Sequence, residues 1–176
     1  VDAYYNEVEN KIIAMPTSNQ FQWTMLNLGF VAIRGLDAAA GLSAQAGEVS
    51  VDARVTYAYQ RAQDLTDPGS LYYGGQIPYI PWHSGSLTAG ADWRGWHMNY
   101  SFIYTGERYE SQANIPENHA RPWYTSDLSI SKAFNCSGAK YTGTLEVNNI
   151  FNQQYEVVKC YPMPGINFRI VLTIEL

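Results

Sequence analysis

Apolar and polar residues alternate with period two along most of this chain. The closing stretch shows it first: Phe168, Ile170, Leu172, Ile174 and Leu176 are apolar, while Asn167, Arg169, Thr173 and Glu175 occupy the other face around a single Val171. Val49 to Arg61 gives the cleanest case, with Val49, Val51, Ala53, Val55, Tyr57 and Tyr59 against Ser50, Asp52, Arg54, Thr56 and Gln60. Tyr79 to Trp93, Trp96 to Tyr109, Trp123 to Phe134 and Tyr141 to Tyr155 repeat the pattern. Val1 to Met15 is a less regular strand, with Tyr4, Val8 and Ile12 opposed to Glu7, Glu9 and Lys11. Phe21 to Ala44 is long for a strand, and its apolar even positions are interrupted by Arg34; a bulge near Gly35 is expected to move that arginine off the oily face.

The segments between strands sort by length. Pro16 to Gln20 reads as a turn or loop, and Gln45 to Glu48, Arg94-Gly95 and Asn135 to Ala139 as tight turns. Asp64 to Pro78, Arg108 to Pro122 and Glu156 to Gly165 read as long polar connections. About eight antiparallel strands with alternating long and short connections predict an all-β, transmembrane meander with long outer loops and short periplasmic turns. A soluble sandwich has no reason to sort its loops this way. Trp93, Trp96, Phe134 and Tyr141 fall beside the tight turns, and Tyr59, Tyr79, Tyr104 and Tyr124 toward the long loops, as two aromatic girdles would. The polar face then looks into a lumen, where Asp52, Arg54, Asp92, Glu107, Asp127, Glu146, Arg169 and Glu175 are solvated or paired.

Composition agrees. The 176 residues include 14 tyrosines and five tryptophans, but only 15% are charged, well below the roughly one quarter usual in soluble domains. The formal net charge of -5 and the lack of a Lys/Arg cluster argue against a nucleic-acid partner. No apolar run is long enough for a transmembrane helix, and none of these residues reads as a leader. The chain begins inside a strand, as a mature segment of a larger polypeptide would. The two cysteines, Cys136 and Cys160, fall at opposite ends of this topology, so they are not expected to pair.

Three stretches carry a family likeness. Leu26-Asn-Leu-Gly-Phe-Val-Ala-Ile-Arg-Gly-Leu-Asp37 resembles the Asn-x-Gly, then Gly-hydrophobic-acidic signature of TonB-dependent outer-membrane receptors. Val147-Asn-Asn-Ile-Phe-Asn-Gln-Gln-Tyr155 is similar to their penultimate strand, and Tyr161-Pro-Met-Pro-Gly165 with the strand after it to their closing one. The spacing of the opening strands is closest to the cobalamin and siderophore receptor group. Three departures stand out: Asp37 where Glu is usual, Ile166 where Arg is common, and Leu176 in place of a terminal Phe, which bears on recognition by the barrel-insertion machinery.

The resemblance implies a 22-stranded barrel plugged by an N-terminal domain, importing a scarce metal chelate (siderophore, cobalamin or haem) with energy passed from TonB. Residues 1–176 would be about its last eight strands, without the plug. Partners implied are outer-membrane lipid, the remaining barrel strands and plug, TonB through that plug, the chelate, and a surface lipoprotein.

Tyr72, Tyr73, Trp82, Arg108 and Tyr109 lie in or beside outer loops, where aromatics and Arg anchor ligands; loop packing is the competing role. Phe168, Ile170, Leu172, Ile174 and Leu176 are assigned to lipid. No resident metal, cofactor or catalytic group is expected: His83, His97 and His119 lack ligand spacing, and Ser84 beside His83 with Asp92 has nothing else of a hydrolase. Two other classes stay open, a self-contained eight-stranded outer-membrane barrel acting as an adhesin or structural protein, and a soluble β-domain.

Overall fold

The structure, a computed structural model, describes residues 1–16 and 22–175. Eight long strands follow one another in a single antiparallel sheet: β1 (Asp2–Pro16), β2 (Trp23–Ala46), β3 (Val49–Asp64), β4 (His83–Trp93), β5 (Trp96–Thr105), β6 (Trp123–Cys136), β7 (Ala139–Asn148) and β8 (Asn167–Glu175). Each pairs only with its neighbours in sequence, so β1 and β8 are the two edges. The expected antiparallel meander is therefore present, and its closing strand β8 is an edge of the sheet. Leu176, assigned to lipid with Phe168, Ile170, Leu172 and Ile174, lies outside the described residues, as does the turn expected over Pro16 to Gln20 from residue 17 on; Pro16 itself closes β1.

Connections alternate at the two ends. Gly47-Glu48, Arg94-Gly95 and Ser137-Gly138 are two-residue turns, while residues 65–82, 106–122 and 149–166 are long. Arg94 and Gly95 (φ 48° and 75°) and Ser137 and Gly138 (φ 51° and 85°) both have the paired positive φ angles that suit the twist of a tight hairpin. The expected turns at 45–48 and 135–139 are each shorter than read, because the ladder continues to Ala46↔Val49 and Cys136↔Ala139.

Directly opposed residues share a face, so the register carries one row around the whole sheet. Leu42 pairs with Ala53, Ala53 with Ala89, Ala89 with Tyr100, Tyr100 with Leu128, Leu128 with Val147, and Val147 with Phe168. Every member of that row is apolar or tyrosine. The outward face is a continuous band that includes Val51, Val55, Leu87, Met98, Ile130 and Leu145, and no second layer covers it: Phe168, Ile170 and Leu172 are 68%, 82% and 64% exposed. A sandwich buries such a face against another sheet, so a single-layer sheet of this kind is not a soluble sandwich. The one charged group low on this face, Lys132, bends to the tight-turn end, where its Nζ donates to the Arg94 carbonyl (2.6 Å) and lies 5.0 Å from the Trp96 ring centroid.

Girdle aromatics meet across strands as expected at the tight-turn end, with Trp93 opposite Trp96 and Phe134 stacked on Tyr141 at 5.4 Å. At the other end Tyr104 pairs with Tyr124, and the Tyr59 ring lies 5.2 Å from His83. Tyr79 belongs instead inside the 65–82 loop, at φ 61°. On the inner face Arg169 reaches Glu146 (2.6 Å), Lys140 reaches Glu175 (3.1 Å), and Asp92 contacts His97 and Ser50.

Three readings need correction. No bulge occurs at Gly35: β2 keeps one register against β3 from Val31 to Ala46, so Arg34 stays on the outward face opposite Arg61. Gly35 is there for space. A Cβ on it would come within 2.5 Å of both the Tyr4 hydroxyl and the Tyr59 carbonyl, so Gly35→Val is expected to cost about 1–3 kcal/mol by overpacking, read as a lower unfolding midpoint of the folded barrel. Tyr79 to Trp93 and Trp96 to Tyr109 are shorter strands than read, beginning at His83 and ending at Thr105; Arg108–Tyr109 forms its own short ladder with His119–Ala120. The strand read through Tyr155 stops at Asn148. Asn149 and Asn152 take φ 50° and 49°, and the buried Asn149 side chain donates to the Gln153 and Pro164 carbonyls (2.9 and 3.2 Å) while its backbone N–H donates to Asp127 (2.7 Å). Asparagine tolerates that conformation, and its short amide replaces the lost ladder bonds.

Candidate functional site

The long connections are stitched into one cluster at the end of the sheet away from the tight turns. Residues 65–82 fold back along β3, with the Ile77 N–H donating to the Ala62 carbonyl (2.9 Å) and Asp64 N–H to Gly75 (3.0 Å). Buried Gln76 completes this return, accepting from the Ala62 N–H (3.0 Å) and donating to the Ile80 carbonyl (3.2 Å). Ile77 and Ile80 pack against Val31, Ile33 and Ala62, which by alternation lie on the inner face. The loop therefore turns inward over the lumen.

The second connection is tied to the first by a reciprocal amide pair. Gln76 N–H donates to Asn114 Oδ1 (2.6 Å), and Asn114 Nδ2 donates back to the Gln76 carbonyl (3.0 Å). Tyr79 N–H donates to the Tyr109 carbonyl (2.8 Å). The third connection is held by Arg108, whose guanidinium is buried and donates to the carbonyls of Glu156 (2.9 Å), Val157 (3.2 Å) and Arg121 (3.4 Å). Lys159 and Glu110 add an ion pair at 2.8 Å. Burial lowers the affinity of Arg108 for its proton, although Glu110 partly offsets it, and the hydrogen bond to Glu110 raises the pKa of Lys159.

Two hollows open in this cluster. One, of about 190 Å³, is lined by Asn27, Asp64, Thr66, Tyr72, Tyr73 and Gln112. The other, of about 430 Å³, is lined by Arg108, Glu110, His119, Trp123, Tyr155 and Glu156. Trp123 lies against Tyr155 with ring centroids 4.6 Å apart, and its indole N–H is buried with no protein acceptor.

The five loop residues singled out from sequence divide between these places. Tyr72 and Tyr73 sit together on the first hollow and are 42% and 46% exposed. Trp82 and Tyr109 meet edge to face at 5.4 Å, and Tyr109 meets His119 in the same way at 5.8 Å, forming an aromatic row near the second hollow. Arg108 holds loops together; its donors are directed at backbone carbonyls. Sequence reasoning missed Trp123 and Tyr155 as a pair, and Gln76 with Asn114. Trp123 reads as one more member of an alternating strand, and a reciprocal amide pair 38 residues apart leaves no periodic trace. Cys136 and Cys160 are both free and exposed, at opposite ends of the sheet. Among the described residues no group of three or more His, Cys, Asp or Glu side chains is placed to hold a metal ion.

A single-layer meander with an apolar outer band, a polar inner wall and inward-folded loops at one end is the wall of a membrane β-barrel. A family model of the TonB-dependent receptor-like β-barrel matches residues 1–150, and the chain belongs to that family. Members of the family are receptors and transporters of the Gram-negative outer membrane. Among solved structures, the chain resembles the copper transporter OprC (TM-score 0.65, 14% identity, covering 97% of this chain and 27% of that one). It also resembles the FrpB iron transporter from Neisseria meningitidis, F3-3 variant (TM-score 0.57, 15% identity, covering 97% of this chain and 28% of that one). At such identities the likeness is one of fold. The chain spans a little over a quarter of the length of these transporters.

Proposed function

We propose that this chain is part of the barrel wall and outer mouth of a receptor that binds a scarce metal chelate and imports it with energy delivered by TonB through a plug domain. The observation that carries the reading beyond the family is the hollow of about 430 Å³ lined by Trp123 and Tyr155. It offers an aromatic wall flanked by the polar groups of Glu110, Arg121 and Gln154, a combination suited to an organic chelator with polar oxygens. Tyr72 and Tyr73 supply a second aromatic contact on the smaller hollow, and Trp82 with Tyr109 back the larger one. Siderophore, cobalamin and haem are the ligand classes to test. The transporters of similar fold carry iron and copper, which keeps metal at the centre of the cargo. The barrel strands that would pair with β1 and β8, the plug and a surface lipoprotein complete the proposed assembly. The open sheet disfavours a self-contained eight-stranded adhesin, because closure would require β1 and β8 to pair with each other.

The test is a binding panel on the natural polypeptide that carries this chain, using ferric siderophores, cobalamin, haem and copper. One class is expected to bind saturably. Trp123→Ala removes the larger ring of the aromatic wall beside Tyr155 and should weaken binding about tenfold or more. Tyr72→Ala with Tyr73→Ala should weaken it about tenfold or more while the barrel still assembles. Absence of binding by every chelate, or unchanged affinity in both variants, would overturn the assignment.

A further inference from the structure

The register places two guanidinium groups at the height where the apolar band ends. Arg34 and Arg61 are opposed on the β2–β3 ladder, on the outward face, and both are exposed. The row beneath them is Leu36, Tyr59 and His83, and the Tyr57 hydroxyl lies 2.7 Å from His83 Nδ1 in the girdle. Arg34 is twelve residues above Ala46, where β2 meets its tight turn. Twelve residues advance about 40 Å along a strand, or about 28 Å along the membrane normal at a tilt of about 45°. The apolar band of such a barrel is about 25 Å tall. Both arginines therefore reach the headgroup layer on the long-loop side.

Like charges placed directly across a ladder repel. Among the described residues, neither arginine forms an ion pair with a carboxylate. Arg34 Nη2 donates only a long bond to Gln63 Oε1 (3.4 Å), and the nearest acid on the same face, Glu7, is engaged by the Tyr5 hydroxyl (2.9 Å). Five other cations have partners, Arg169 in Glu146, Lys140 in Glu175, Lys159 in Glu110, Arg94 in Glu48 and Arg108 in carbonyls, while Lys11, Arg54 and Arg121 form no ion pair among the described residues but do not face a second cation across a ladder. A repelling, outward-facing pair at the lipid boundary lacks its counter-anion.

We propose that Arg34 and Arg61 clamp a phosphate group of an outer-leaflet glycolipid, a lipid A-type headgroup. Two guanidinium forks, one on each strand, suit the tetrahedral oxygens of a phosphate monoester. The lipid's acyl chains then run down Leu36, Leu42 and Val55, which lie on the same face. A bound phosphate turns the mutual repulsion of the pair into shared attraction and fixes how deep the barrel sits. This site rests on the lipid-facing assignment of the outer wall and is separate from the loop hollows that the transport reading uses.

The natural polypeptide carrying this chain, purified in mild detergent, is titrated with Kdo2-lipid A and followed by native mass spectrometry. Dephosphorylated lipid A, phosphatidylethanolamine and inorganic phosphate are run alongside. Wild type is expected to retain Kdo2-lipid A in preference to both other lipids, with inorganic phosphate competing only weakly because it lacks the chains. Arg34→Gln with Arg61→Gln should lower lipid A occupancy about tenfold or more while the barrel remains heat-modifiable and chelate binding is unchanged. Arg34→Lys with Arg61→Lys should retain an intermediate fraction. Equal occupancy in the double glutamine variant, or no preference for the phosphorylated lipid, would overturn the clamp; a wild type that retains Kdo2-lipid A selectively but binds no chelate would count against the transport reading alone.

Discussion

Leu172→Arg is expected to cost about 1–3 kcal/mol of membrane assembly, the penalty for a cation on the lipid face between the tight-turn girdle and mid-depth. Leu172 lies on the outward row of β8 between Ile170 and Ile174, and its ladder partner is Gly143. Glycine has no side chain to shelter a charge or offer it a hydrogen bond. The other ladder partner of Gly143 is Lys132, so the same row already carries one cation, whose Nζ is taken up by the Arg94 carbonyl, and it offers a guanidinium at 172 no counter-charge. The neighbouring change Thr173→Arg points the same charge at the lumen beside Lys140, Thr142 and Glu175, and should lie within about 0.5 kcal/mol of wild type, as surface substitutions usually do. The readout is the folded, heat-modifiable fraction recovered in the outer membrane. Equal recovery of the two variants would contradict the face assignment.

Arg108→Ala is the second large effect, and it separates a strut from a ligand contact. Arg108 is 4% exposed, and its removal strips donors from the carbonyls of Glu156, Val157 and Arg121 at once. Hydrogen bonds from charged donors are worth about 1.5–3 kcal/mol each, and since bonds from one group do not add, about 3 kcal/mol of local stability is expected to be lost. The loss should appear as faster hydrogen exchange and easier proteolysis within residues 106–122 and 149–166, with the eight strands unchanged. Arg108→Lys should recover only part of it, because one ammonium cannot span three carbonyls as a planar fork does. Unchanged loop protection together with lost chelate binding would instead make Arg108 a ligand residue.

The faces of the sheet were legible from the sequence because a strand has period two. Once Phe168 or Val55 is placed outward, the rest of its strand follows, and the ladder carries the same face to every neighbour. Height was not legible. Alternation placed Arg34 on the oily face and made it look like an error to be removed by a bulge at Gly35; the register shows a residue on the same face but above the apolar band. The charged face of β1, with Glu7, Glu9 and Lys11, has the same cause, since these residues pair with Ala32, Phe30 and Leu28 at or beyond the level of Arg34.

The loop cluster was the least legible part. Tyr72 and Tyr73 could be picked out by residue type, but the roles of Arg108, Gln76, Asn114 and Asn149 depend on partners far away in sequence. The Val147 to Tyr155 stretch reads as continuing strand, whereas Asn149 and Asn152 take positive φ angles that end it. Asparagine is as compatible with a strand end as with a left-handed turn, and only the buried amide network decides between them.

The central claim is that the outward face of this sheet meets lipid and the inward face meets water. Nitroxide labels placed one at a time at positions 168 to 175 of the natural polypeptide in lipid vesicles test it most directly, by comparing collision with oxygen, which concentrates in lipid, and with a water-soluble nickel chelate. The predicted result is strict alternation, with 168, 170, 172 and 174 favouring oxygen and 169, 171, 173 and 175 favouring the chelate. Uniform access to the chelate along the strand, or the opposite phase, would contradict the barrel-wall assignment.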